Sequence, residues 1–201
     1  GWQWGLGTRR GWSRASQSCL PAGGEADRQV WESRLGPHDR WRSGLAWSGN
    51  PRHVNDHNRS IALGVMMRLA AHDALFVSLQ KDPKPADAAL LRERRDIVDL
   101  TGDLIDFSAT AALIACIDIV VTVDTSVAHL AAALGRPTWI LLPYTPDYRW
   151  LLDRDDSPWY PTVRLFRQTG QRDYESVVER INIALAEQVR AFAARTAGSR
   201  A

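Results

Sequence analysis

The chain has 201 residues, of which 45% are hydrophobic and 24% are charged, and its formal net charge is +2 at pH 7. This balance is typical of a protein of about one domain. It gives no electrostatic reason to expect a nucleic acid partner, and no apolar run approaches the ~20 residues of an integral membrane segment.

The two cysteines and the N-terminal residues carry little information about function. Cys19 and Cys116 lie in dissimilar surroundings and predict no disulfide framework, so we expect a cytoplasmic protein. Residues 1–26 are rich in Gly, Trp, Arg and Ser without helical or strand periodicity, and we expect them to be disordered or foreign to the native fold. Regular patterning over 27–195 predicts one domain, followed by a tail over 196–201.

From Asp27 onward, short apolar strands alternate with helices. In chain order, the patterns predict a helix over 27–35, a strand over 43–48, a helix over 60–71 with Ser60 as its N-cap, a strand over 74–79, a helix over 86–93, a strand over 97–100, a helix over 106–116, a strand over 118–123, a helix over 125–134, strands over 138–142 and 163–166, and a helix over 173–195. Six such strands predict an α/β fold with a doubly wound, Rossmann-like parallel sheet. Ligands of such sheets bind at the carboxyl ends of the strands.

The loop after the first strand, from Gly49 to Ser60, is polar and leads into a helix. Gly49 permits close backbone approach, and Arg59 stands beside the helix start, where a guanidinium can clamp two phosphate oxygens. A solvated loop is an equally open alternative. His53 and His57 have the spacing of a metal-binding pair, but Asn and Pro residues disfavour a helix there and no third ligand is evident, so we expect no metal.

Gln80 and Lys81 follow the second strand. An ammonium group at a strand end is suited to a diphosphate or to the edge of a base, and the alternative is a surface lysine at the edge of the sheet. Lys84, which stands between two prolines and is the one other lysine in the sequence, is interpreted as a surface residue.

The most informative stretch follows the fourth strand and runs from Asp124 to Pro137. Thr125 and Ser126 open a helix at a strand end, where backbone N–H groups and hydroxyls converge on an anion. His129 lies three and four residues further along the same helix edge. A hydrolase triad is disfavoured because there is no G-x-S-x-G turn. A structural interpretation, with helix caps and a buried histidine, remains open.

The sequence D-T-S-x-x-H-L-A-x-A-L-G-R-P at 124–137 resembles the nucleotide-diphosphate motif of the ADP-heptose:lipopolysaccharide heptosyltransferase family. The blocks G-L-A-W-S-G-N-P-R-H-x-N-D-x-N-R-S-I and S-L-Q-K, and the segment around Tyr144, are similar to bacterial TPR-repeat glycosyltransferases. The resemblance covers about residues 27–190. It implies one half of a GT-B fold, namely the C-terminal domain that holds the nucleotide-sugar donor without a bound metal or other cofactor.

The resemblance also implies roles for particular residues. Arg59 and Lys81 would neutralise the leaving nucleoside diphosphate, a role expected where negative charge develops. The implied donor-binding residues are Ser48, Gly49, Asn50, Gln80, Asp124, Thr125, Ser126, His129 and Tyr144.

In the family that this sequence resembles, the acceptor site and usually the general base belong to an N-terminal domain, often with TPR repeats, where this sequence has about 25 irregular residues. We therefore expect this chain alone to transfer little or nothing. A degenerate nucleotide-binding or scaffold module is the alternative function. An NAD-dependent oxidoreductase is disfavoured because no G-x-G-x-x-G follows the first strand.

Overall fold

The computed structural model describes residues 24–198. Its strands are β1 (Trp41–Ala46), β2 (Ala74–Ser78), β3 (Ile97–Asp99), β4 (Ile119–Val123), β5 (Thr138–Leu142) and β6 (Val163–Arg167). Its α-helices are α1 (Glu25–Leu35), α2 (Asp56–Arg59), α3 (Leu63–Met66), α4 (Pro85–Glu93), α5 (Phe107–Ala115), α6 (Ser126–Ala133) and α7 (Glu175–Gly198). Residues 1–23, which include Cys19, lie outside the described part of the chain.

The strands form one parallel sheet in the order β3-β2-β1-β4-β5-β6. The prediction of a doubly wound parallel α/β fold is therefore confirmed. The direction in which the chain adds strands reverses between β1 and β4, and such a switch point is where sheets of this kind open a crevice for ligands.

Helices cover both faces of the sheet. Every residue of β1, β4 and β5 is buried, which explains why β4 and β5 are largely apolar without alternation. Val121 of β4 packs on one face with Ile181 and Leu185 of α7, whereas Val120 packs on the other with Leu113 of α5. The apolar stripe of α7 thus covers the sheet of its own domain.

The helix predicted over 60–71 is wrong in its first residues. Ser60 is not an N-cap but follows α2 in an extended conformation, and its hydroxyl donates to Oδ1 of Asp56 at 2.7 Å. The N–H of the buried Ile61 donates to the carbonyl of Trp47 at 2.9 Å. This hydrogen bond holds the chain beside the end of β1, so the helix begins only at Leu63 and continues as a 3₁₀ turn over Met67–Ala71.

The first strand begins two residues before its predicted start, since Trp41 and the buried cation Arg42 pair with Ala74 and Leu75 of β2. The side chain of Arg42 is 1% exposed, and its Nη1 donates to Oε2 of Glu32 at 2.6 Å. Its Nη2 donates to the carbonyl of Gly36 at 2.7 Å. These bonds attach α1 to β1 and satisfy a charge that would otherwise be costly to bury.

Cys116 is buried at the end of α5 and carries a free thiol. Burial, together with the negative charge of Glu32, raises the pKa of this thiol to about 11. No helix within residues 24–198 combines the length and apolarity that crossing a bilayer requires.

Candidate functional site

A cleft of about 920 Å³ opens at the carboxyl edge of the sheet. Its walls come from the segments that follow β1, β2, β4 and β5 and from the start of α5. Ten of the eleven residues singled out from the sequence line it: Ser48, Gly49, Asn50, Arg59, Gln80, Lys81, Asp124, Thr125, Ser126 and His129. Residues separated by up to 81 positions therefore meet in one cavity, because parallel strands end at the same edge.

Arg59 connects the segment after β1 to the end of β4. Its side chain is 15% exposed, and its Nη1 donates to the carbonyl of Asp124 at 3.1 Å. Its Nε lies 3.6 Å from Oδ1 of the buried Asp56 and has no hydrogen-bond partner among residues 24–198. Gly49 leaves the space that this guanidinium occupies. The result is a cation fixed at the cleft wall with donor capacity to spare.

Gln80 fixes the backbone after β1. Its side chain is buried, and its Oε1 accepts hydrogen bonds from the backbone N–H groups of Trp47 at 3.1 Å and Ser48 at 2.9 Å. These two groups lie beyond the last residue of β1, and a buried N–H without an acceptor would be costly. Gln80 thus shapes the cleft by holding the loop that carries Ser48 and Gly49.

Lys81 lies at the opposite wall and is exposed. Its Nζ donates to the carbonyl of Ile105 at 2.9 Å, which directs the ammonium towards the segment before α5. Phe107 and Thr110, at the start of α5, line the cleft beside it. These two residues were not singled out from the sequence, because the strand-end pattern does not mark the start of α5.

The first turn of α6 faces the cleft between these walls. Thr125 precedes the helix in an extended conformation, and its side chain makes no capping hydrogen bond within the described chain. Its Oγ1 instead lies 3.2 Å from Oγ1 of Thr122. The first backbone N–H groups of α6 are therefore open to a ligand, and the positive end of the helix dipole favours an anion there.

His129 lies one turn into α6 and is held on several sides. Its ring stacks on the fully buried Trp150, with centroids 5.2 Å apart, and Nδ1 lies 3.3 Å from the hydroxyl of Tyr160. Its Nε2 lies 3.8 Å from Oδ1 of Asp124. Burial lowers the pKa of His129 below its usual value, although the Asp124 carboxylate opposes this shift, and Arg149 lowers the pKa further. The imidazole is accordingly neutral at pH 7.

Arg149 also lines the cleft and was not assigned a role from the sequence. It follows β5, and its Nε donates to Oδ1 of Asp147 at 2.7 Å. Its Nη1 lies 3.5 Å from Nε2 of His129. The other residues were predicted because they follow the carboxyl ends of strands. Arg149 would have been predicted as well if the whole irregular segment after β5 had been considered.

Tyr144 lies outside the residues that line the cleft. Its backbone N–H donates to Oε1 of Gln168 at 3.0 Å, and its half-exposed ring packs against the guanidinium of Arg172 at 5.1 Å. The described chain also brings no three His, Cys, Asp or Glu side chains together in a way that could hold a metal ion.

A doubly wound parallel sheet with a polar cleft at its switch point defines a Rossmann-like domain. The family model for glycosyltransferase family 9 (heptosyltransferase) matches residues 65–180. The chain belongs to this family. The matched region contains Gln80, Lys81 and the start of α6, whereas Arg59 precedes it.

Solved members of the family share the fold. ADP-heptose lps heptosyltransferase II of E. coli matches with a TM-score of 0.54 and 17% identity, over 86% of this chain and 53% of its own. A family 9 glycosyltransferase of Veillonella parvula matches with a TM-score of 0.58 and 16% identity, over 82% and 50% of the two chains. The sheet is thus a Rossmann-like half of the GT-B architecture, and this chain spans about half the length of these relatives.

A curated relative is closer in sequence over a shorter region. Protein FlbA of Caulobacter vibrioides is 32% identical over 118 residues. That region is 55% of this chain and 19% of FlbA, so the chain spans about a fifth of that relative's length.

Proposed function

We propose that this domain binds the nucleotide-diphospho-sugar donor of a glycosyltransferase, with the diphosphate over the first turn of α6. The observation that carries the proposal is the meeting of Arg59 with the open start of α6 in one cleft. A guanidinium and a helix N-terminus are both groups that bind phosphate, and here they converge from separate parts of the chain.

The chemistry of transfer fits this arrangement. When the bond between sugar and diphosphate breaks, negative charge grows on the leaving nucleoside diphosphate, and fixed cations stabilise it. Arg59 is held for this role by its bond to the carbonyl of Asp124, and Lys81 supplies a more mobile charge from the opposite wall. With these groups and the helix dipole, no metal ion is required.

The remaining polar groups suit the uncharged parts of the donor. Ser48 and Asn50 after β1, and Thr125 and Ser126 at α6, offer amide and hydroxyl groups to ribose or sugar hydroxyls. Asp124 and the neutral His129 add two acceptors beside them. Tyr144 would reach a donor only if the segment after β5 moved.

The acceptor is expected to enter from a second domain, as in other two-domain glycosyltransferases. We propose that this chain corresponds to the C-terminal, donor-binding half, and that an N-terminal domain, with or without TPR repeats, supplies the acceptor site and general base. On this account the described domain binds the donor, and transfer also needs the acceptor site and general base of the second domain.

Isothermal titration with UDP, ADP and GDP tests the proposal. At least one nucleoside diphosphate should bind, and Arg59→Gln should weaken that binding about tenfold or more, because a charge-assisted phosphate contact is lost. Arg92→Gln is the matched control, since Arg92 is an exposed arginine on α4 that does not line the cleft. If none of the three nucleotides binds, the domain is a scaffold rather than a donor site.

A further inference from the structure

Arg149 and Arg59 belong to segments that follow the two strands on either side of β4. β4 lies between β1 and β5 in the sheet, so the segments that follow β1 and β5 flank the end of β4. Arg59 comes from the first segment and Arg149 from the second, and both line the cleft. We propose that Arg149 is a second guanidinium for the donor diphosphate, which is held between the two arginines. This inference rests on the proposed function.

The two arginines are held in the same way. Each has its Nε beside an aspartate a few residues earlier: Asp56 at 3.6 Å from Arg59 and Asp147 at 2.7 Å from Arg149. Each then extends Nη1 towards a residue at or near the start of α6. For Arg59 this is the carbonyl of Asp124 at 3.1 Å, and for Arg149 it is Nε2 of His129 at 3.5 Å.

The backbone around Arg149 is anchored as well. Oδ1 of Asp147 accepts the backbone N–H of Arg149 at 3.0 Å, and the indole of Trp159 donates to its carbonyl at 3.2 Å. The next residue, Trp150, is fully buried against the His129 ring. A guanidinium fixed at its base loses little further freedom when it binds a ligand, which favours affinity.

The contact between Arg149 and His129 is weak enough to be exchanged for a phosphate. At 3.5 Å it is at the outer limit of a hydrogen bond, and its acceptor is an uncharged imidazole. A phosphate oxygen carries a negative charge, whereas the imidazole does not, so it is the stronger acceptor for the guanidinium. Arg149 is therefore poised beside the diphosphate position without a partner that competes strongly for Nη1.

A surface ion pair is the alternative interpretation of Arg149, and the same segment provides a matched example. Nε of Arg154 donates to Oδ1 of Asp156 at 2.6 Å, which is the same side-chain bond as that between Arg149 and Asp147, with the aspartate two residues after the arginine rather than two before it. Arg154 does not line the cleft. Exposed pairs of this kind contribute little to stability, so the two arginines should differ in ligand binding and not in folding.

The test compares Arg149→Gln, Arg149→Lys and Arg154→Gln by isothermal titration with UDP, ADP and GDP and with the matching monophosphates. Arg149→Gln should weaken diphosphate binding about tenfold or more and monophosphate binding much less, because the second phosphate loses a charge-assisted contact. Arg149→Lys should recover part of the loss, and Arg154→Gln should bind like the unaltered protein.

Three results would overturn the role of Arg149. Arg149→Gln could bind the diphosphate as tightly as Arg154→Gln does, or it could lose diphosphate and monophosphate affinity equally, which would indicate a structural effect. If the unaltered protein binds none of the nucleotides, the proposed function itself fails and the role of Arg149 fails with it. The first two results leave donor binding through Arg59 intact.

Discussion

A methyl group on Gly49 would lie 2.7 Å from Nη2 of Arg59, closer than such atoms approach in proteins. It would also lie 2.8 Å from Oδ1 of Asp56. The absence of a side chain at position 49 is therefore what allows the guanidinium to lie against the end of β1. Glycine matters here because two side chains approach its Cα closely and not because the backbone is left-handed.

Gly49→Ala should displace Arg59 and reduce nucleoside diphosphate affinity about tenfold or more, because the cation leaves its fixed position. Isothermal titration measures the change. Gly64→Ala is the control, since a Cβ at that helical position lies 4.0 Å from its nearest neighbour, a methyl of Leu90. If Gly49→Ala bound as tightly as Gly64→Ala, the position of Arg59 would not matter for binding.

Gln80→Met should lower the free energy of unfolding by about 1–3 kcal/mol, because it leaves two buried backbone N–H groups without their acceptor. Urea denaturation measures this change. Gln168→Met removes an acceptor from a single, exposed backbone N–H and should cost less. An equal loss in the two variants would show that Gln80 has no special part in holding the loop after β1.

The stability of the domain should depend on pH through His129. Burial lowers the pKa of this imidazole in the folded protein, despite the opposing charge of Asp124, so the unfolded chain binds the proton more readily. The contribution of His129 to the free energy of unfolding is therefore complete at pH values above the unfolded pKa of about 6.5. It is lost as the pH falls below that value. His129→Gln should lose less stability between about pH 7.5 and 5.5 than the unaltered protein does.

The same expectation can be measured directly by NMR titration of the His129 ring protons. The midpoint should fall below the usual value of a histidine. A midpoint above that value would mean that the Asp124 carboxylate outweighs burial, and a larger share of the imidazole would then be charged at pH 7. In that case His129→Gln would remove a positive charge and so weaken nucleotide binding.

The sequence was sufficient to predict the fold because β4 and β5 are buried on both faces and therefore consist of unbroken apolar runs. It was also sufficient to predict that the site residues directly after β1, β2 and β4 meet at one edge, since parallel strands end at the same edge. Hydrogen bonds between residues far apart in the chain could not be predicted from the sequence. The bond from Ile61 to the carbonyl of Trp47 breaks the predicted helix at 60–71, and no local pattern reveals it.

Two features of the site show the same limit. Arg149 reaches His129 only because the segment after β5 folds back over the end of β4, and its spacing from Asp147 is that of an ordinary surface pair. Tyr144 is adjacent to β5 in sequence, yet its backbone bond to Gln168 and its packing on Arg172 place it outside the cleft lining. Proximity to a strand end identifies candidates, and the path of the loop decides which of them reach the cleft.

A crystal structure with the nucleoside diphosphate that binds most tightly is the most direct measurement of the central claim. The account predicts both phosphates over the first turn of α6, with the guanidinium of Arg59 within hydrogen-bond distance of a phosphate oxygen. Phosphates bound elsewhere on the domain, with Arg59 bonded only to the carbonyl of Asp124 as it is without ligand, would contradict it.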